Sequence, residues 1–273
     1  RMGHTELVDG MYRDGFNDPL SGLVMGETAE KLAAQYEISR DEQDEYALRT
    51  QQRAAAAIAA GRFDDEILPL ELKNSVSLWF TNDEHVRATT AIEDLRKLKP
   101  VFSKDGTVTA GNSSGITDGA AATTVMSESA LKESGAEALA RIVDYEILGV
   151  PPEIMGIGPV PAVRAVLERQ KLSLADIDLI ELNEAFAAQV IACDRELQFD
   201  HDRLNVNGGA IALGHPIGCT GARITTTLLH EMKKRQAKRG LATLCISGGM
   251  GIAILFERVQ ASDLGETANQ PGC

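Results

Sequence analysis

Apolar and polar positions fall into two regimes along the chain. From about residue 140 onward the pattern switches regularly between period two and period 3.6. "ARIVDYEILGV" reads as a strand, "GPVPAVRAVLERQKL" as a helix with Pro161 near its start, and "IDLIELN" as a strand. "EAFAAQVIACDREL" and "RITTTLLHEMKKRQAKR" read as helices on either side of a glycine-rich stretch. The run "GLATLCISGGMGIAILF" at 240–256 is broken by Ser247 and adjacent glycines and falls short of the ~18 to 20 apolar residues that span a bilayer. It predicts two buried strands. Alternating strands and helices predict an α/β layered domain.

The first hundred residues are mostly helical. "SRDE", from Ser39 to Glu42, is a capping box that opens a helix through "YALRTQQRAAAAIAA", and Gly61 ends it. Residues 74–100 are polar and irregular: "TNDEHVRATT" reads as loop and "AIEDLRKLK" as a short helix. "TVTAGNSSGITDGAAATTVM" predicts a strand, a small-residue loop and a buried small-residue segment. The final "VQASDLGETANQPGC" reads as a disordered polar tail.

Composition narrows the class. A hydrophobic fraction of 44% over 273 residues supplies a real core. The 27 basic and 40 acidic residues give a formal charge of −13, which disfavours nucleic acid and anionic membrane as partners. The basic run at Lys233, Lys234, Arg235, Lys238 and Arg239 ends a predicted helix, where cations complement the dipole. Four scattered cysteines without a C-x-x-C pair fit neither a disulfide scaffold nor zinc, and suit a reducing, cytoplasmic setting. His4, His85, His201 and His230 lack metal-ligand spacing and read as surface residues.

Candidate chemistry concentrates in three places. In "NVNGGAIALGHPIGCTGAR" at 205–223, His215 sits among five glycines, which suit close backbone approach more than ordinary packing. In "DLIELNEAFAAQ", Asn183 and Glu184 end an apolar strand, where α/β sheets bind ligands; alternatively Asn183 caps the next helix and Glu184 complements its dipole. In "CISGGMG", Cys245 precedes a glycine turn with N–H donors suited to acyl chemistry, although a buried structural cysteine beside a hairpin has the same pattern. "GNSSG" at 111–115 also matches G-x-S-x-G, which would make Ser113 a hydrolase nucleophile with His215 and Asp178 or Glu184.

Taken together, "MGETAE", "DEHVRATT", "LKPVFSKDGTVTAGNSSGITDGAAA", "GIGPVPA", "NEAFA", "NGGAIALGHPIGCTGAR" and "CISGGMG" resemble the thiolase family, acetyl-CoA acetyltransferases and 3-ketoacyl-CoA thiolases, from about Arg1 to Val259. The resemblance implies a layered αβαβα fold and Claisen condensation of two acyl-CoA molecules or the reverse thiolysis. It implies coenzyme A as substrate or product, no required cofactor or metal, and a homo-oligomer, dimer or tetramer. By motif, His215 would activate the nucleophilic thiol and hold the thioester oxygen, and Asn183 would position a water at that oxygen. Cys245 would move the α-proton, and the Ser247 N–H would belong to a second oxyanion hole. Met25, Phe102, Ala110, Ser114, Ala185 and Phe186 match the family's pantetheine and acyl pocket. Arg87 matches the basic loop residue near the CoA nucleotide.

The same resemblance divides the chain into a mostly helical loop domain at 1–116 and a piece of the N-terminal core domain at 117–137. The C-terminal core domain then takes 138–258 and a polar tail 259–273. The family's acylated cysteine has no motif counterpart here, so the expectation is a fold incomplete at its N-terminus. That leaves a non-catalytic CoA-binding fragment or subunit as the alternative. Ser247 stands where glycine is common, Met250 where glutamine is, Val86 where proline is, and Val24 where several members have histidine.

Overall fold

The computed structural model describes residues 2–72 and 79–259. In chain order the elements are α1 (Met25–Gln35), α2 (Arg40–Ala59), β1 (Leu70–Glu71), β2 (Trp79–Phe80), α3 (Ile92–Arg96), α4 (Glu128–Ser134) and β3 (Arg141–Gly149). They continue with α5 (Pro159–Gln170), β4 (Leu179–Leu182), α6 (Ala187–Leu197), α7 (Ala210–Leu213), α8 (Thr220–Arg235), β5 (Arg239–Ile246) and β6 (Met250–Glu257). The capping box forms as the sequence predicts: the Ser39 hydroxyl accepts from Glu42 N, and the Glu42 carboxylate accepts from Ser39 N. Gly61, at φ +62°, lies just past the end of α2.

One sheet organises the second half of the chain, in the order β3-β6-β5-β4. β4 runs parallel to β5, the other pairs are antiparallel, and Leu204 adds a parallel bridge to Ile180. Strand alternation sorts side chains to the two faces. Ile180, Leu182, Leu241, Ala253 and Leu255 point into a core shared with α1, α2, α5 and α6. Leu179, Ala242 and Phe256 meet Ile224, Leu228 and Met232 of α8 on the opposite face. β4 is buried along its whole length because helices cover both faces, as expected of a parallel strand in a helix–sheet–helix sandwich.

Two expectations are corrected. The stretch 107–126 forms no strand, only isolated bridges at Pro100–Thr109 and Ser113–Phe186; Val108, Thr109 and Asn112 are buried, but the segment expected to be buried, 118–126, is exposed. No strand among the described residues runs beside it to take up its backbone groups. His85, His201 and His230 are half-buried rather than surface residues, and the His85 ring lies over Gly115 and bonds the Ile211 backbone. The tail expected to be disordered lies, from residue 260 on, outside the described residues.

Candidate active site

The site grows from the carboxyl end of β4. Asn183 N–H donates to Thr243 O at 3.0 Å, which extends the β4–β5 ladder one residue past the strand. Three residues, Glu184 to Phe186, follow before α6 begins at Ala187, with Phe186 at its N-cap position in an extended conformation. Asn183 therefore does not cap the helix. Its Nδ2 lies 3.4 Å from His215 Nε2, and its Oδ1 is buried with no hydrogen-bond partner among the described residues.

Glu184 spends its carboxylate on protein donors and holds the site together. Its fully buried carboxylate accepts from Tyr46 Oη at 2.8 Å, Thr50 Oγ1 at 2.9 Å, Asn205 Nδ2 at 2.9 Å and Ile211 N at 3.2 Å. Such a buried anion is tolerable because donors surround it. It ties α2, the 205 loop and α7 to the end of β4. Gly209 lies so close that a Cβ there would overlap the Glu184 carboxyl, which accounts for one glycine of the run.

A second glycine, Gly214, turns the chain at φ +97° so that His215 projects back toward Asn183. His215 N donates to Gly115 O at 3.1 Å, and its Nδ1 lies 2.6 Å from Thr220 Oγ1. Burial, aided by the nearby Arg223 cation, lowers the imidazole pKa to about 4, so the ring is neutral near pH 7. Arg223 has all three guanidinium nitrogens buried without a hydrogen-bond partner among the described residues.

Cys245 occupies β5 opposite Gly251 and packs in a cluster with Met25, Ala29, Val108, Met155, Ala185, Phe186 and, at its edge, Phe102. Phe102 meets Phe186 edge-on, with ring centroids 6.2 Å apart. Apolar burial pushes the Cys245 thiol up to about 12. Ser247 opens the β5–β6 turn, in which Gly248 and Gly249 have φ of +85° and +81°. Asp18 pins that turn: its Oδ2 accepts from Gly248 N at 3.0 Å, and its Oδ1 accepts from Leu20 N at 2.8 Å.

The fold thus brings Met25, Phe102, Ala185, Phe186 and Cys245 into one apolar cluster. Ser114 joins it through a 3.0 Å bond to Ala185 O. Asn183 and His215 meet next along the same backbone. Ala110 and Arg87 are exposed and stand outside that cluster. Ser113 fails as a hydrolase nucleophile. Its hydroxyl donates to Thr109 O at 2.7 Å, its backbone pairs with Phe186, and no helix follows it to form a nucleophile elbow. Asp18 and Thr220 escaped the sequence reading. Thr220 lies five residues after His215, but its partner becomes visible only once the chain has turned at Pro216.

A family model described as "Thiolase, N-terminal domain" matches residues 1–129, and one described as "Thiolase, C-terminal domain" matches residues 136–258. An acetyl-CoA acetyltransferase of Pseudomonas aeruginosa is 55% identical over 260 residues, covering 94% of this chain and 66% of its own length. The Escherichia coli acetyl-CoA acetyltransferase is 53% identical, with 95% and 66% covered. Among solved structures, the Bacillus anthracis acetyl-CoA acetyltransferase superimposes with a TM-score of 0.91 at 52% identity, with 95% and 66% covered. Human mitochondrial 3-ketoacyl-CoA thiolase in complex with CoA superimposes with a TM-score of 0.86 at 45% identity and the same coverage. The chain spans about two thirds of the length of each of these relatives.

Proposed function

This chain belongs to the thiolase family, and from that premise we propose that it carries the catalytic half-site of an acyl-CoA C-acyltransferase, an acetyl-CoA acetyltransferase in particular. The reaction is Claisen condensation of acetyl-CoA with an acyl-CoA, or thiolysis of a 3-ketoacyl-CoA. The observation that supports it is one continuous backbone segment, Asn183 to Phe186, that touches His215 at one end and shares the Cys245 cluster at the other. A neutral imidazole beside a buried amide, next to an apolar cluster with a single thiol, suits thioester chemistry.

In this reading His215 takes the proton of the nucleophilic thiol through Nε2 and then holds the thioester oxygen. Asn183 assists with its free Oδ1, a buried acceptor that suits a bound water. Cys245, kept neutral by burial, gives its thiol proton to the departing enolate carbon in thiolysis; in condensation the thiolate that this transfer leaves takes the α-proton and becomes the thiol again, while the Ser247 N–H faces the enolate oxygen. The pantetheine arm runs past Met25, Phe102, Ser114, Ala185 and Phe186 near Ala110, with Arg87 toward the nucleotide. The acylated thiol is proposed to come from outside these residues. Cys193 is fully buried and donates to Gly156 O at 3.3 Å, and burial raises the Cys219 thiol as well. The three cysteines among the described residues are all unpaired, which suits a reducing, cytoplasmic compartment, and the exposed apolar residues suit a homo-oligomer. No helix among the described residues is long and apolar enough to cross a membrane.

Thiolysis of acetoacetyl-CoA by CoA tests the proposal. Turnover by protein carrying this sequence is expected to fall at least ~10²-fold in Cys245→Ala and His215→Ala, with CoA binding retained. Binding of CoA without turnover in any of the three would leave a CoA-binding subunit and sink the catalytic reading.

A further inference from the structure

The hydrogen-bond geometry around His215 has a direction. Thr220 is the first residue of α8 and is fully buried, and its Oγ1 makes two contacts. One is to Pro216 O at 3.0 Å, the i to i−4 bond that a threonine at a helix start commonly donates. The other is to His215 Nδ1 at 2.6 Å. A hydroxyl carries one proton. With that proton on the Pro216 carbonyl, the Thr220 oxygen can only accept, and Nδ1 must bear the imidazole hydrogen.

The far side of the ring agrees. Asn183 presents its Nδ2, a donor, to His215 Nε2 at 3.4 Å, which requires a lone pair on Nε2. The chain of bonds therefore runs one way: Asn183 Nδ2–H to His215 Nε2, His215 Nδ1–H to Thr220 Oγ1, Thr220 Oγ1–H to Pro216 O. We infer that Thr220 is a positioning residue that fixes His215 as the Nδ1–H tautomer and so keeps Nε2 free to accept a proton. This deepens the proposed function, on which it rests for its consequence: an imidazole in the opposite tautomer would face the thiol with an N–H and could not be its base. The competing arrangement reverses every bond. Thr220 would then donate to Nδ1, and the Asn183 amide would turn its oxygen to an Nε2–H.

Long-range ¹H–¹⁵N correlation on the whole chain labelled at its five histidines separates the two directions without any turnover. The His215 signals are assigned by their disappearance in His215→Asn. At neutral pH the wild type is expected to show protonated Nδ1 and bare Nε2. Thr220→Ser should keep that pattern, and Thr220→Val, which retains the shape without the oxygen, should lose it. Protonated Nε2 in the wild type overturns the assignment even if the valine variant fails to fold. An unchanged pattern in a folded Thr220→Val also overturns it, since another group would then set the tautomer. The expected pattern in a protein without thiolysis activity would uphold the tautomer while sinking the acyltransfer reading, so the two can fail separately.

Discussion

The two faces of the sheet carry similar apolar alternation and end in different surroundings. On the face toward α5 and α6, Leu182, Leu241, Ala253 and Leu255 are at most 1% exposed. On the other face α8 covers β4 and β5, but toward β3 it leaves a groove of about 1050 Å³ lined by Ile142, Leu244, Ile252 and Ile254. Farther along β3, Tyr145 and Ile147 are 61% and 49% exposed. The faces also differ in charge. The carboxylates on the α5 side, Asp144 and Glu146 at the β3 edge, are paired with Arg169, whereas the α8 face buries Glu181 within electrostatic reach of Arg223 but without an ion pair among the described residues. Alternation reports which side chains share a face, and only the packed elements decide whether that face is dry.

Truncation should expose the contrast most strongly. Leu182→Ala on the sealed face is expected to cost about 2 to 5 kcal/mol, and Ile147→Ala on the open face within about 0.5 kcal/mol, both read from denaturant midpoints. Equal losses would mean that the open face is covered in solution. Glu184→Gln sharpens the comparison at the rim of the sealed core. An amide nitrogen cannot accept from the donors that converge on Glu184, so a loss of about 2 to 3 kcal/mol is expected, again from chemical denaturation.

The third prediction concerns pH. Burial raises Glu181 from its ordinary 4.5 to about 8, so the folded state favours its neutral form. Stability associated with this group is complete below pH 4.5 and is lost as pH rises toward 8. Glu181→Gln should therefore gain up to about 4 kcal/mol over wild type at pH 8 and little at pH 4, measured by melts at the two pH values. A pH-independent difference would mean that Glu181 ionises in place, held by Arg223.

The regular second half was legible because its signals are local. β5, β6, α5, α6 and α8 each bury a face that their own period displays, β4 reads as a short apolar run buried on both sides, and α2 announces its start with Ser39 and Glu42. Asn183, His215 and Cys245 could be singled out from their glycine and strand-end surroundings. Their supports could not. Glu184 reads as a helix-start acid until Tyr46, 138 residues away, and Thr50, 134 residues away, are folded against it. Ser113 matched a nucleophile pattern, but its hydroxyl serves its own loop. The 107–126 stretch has β-compatible composition, but a strand also needs a neighbour, which composition does not specify.

The bond from Asp18 to the Gly248 turn joins positions 230 residues apart. It closes nearly the whole described chain, so it belongs among the contacts of highest order, which form only after shorter loops have closed. During synthesis the turn that carries the Ser247 N–H emerges long after Asp18, when the helices and β3 to β5 are already made. The turn cannot be pinned before the chain is nearly complete, and β6, which follows it and supplies Ala253 and Leu255 to the main core, ties the completion of the site to the completion of that core.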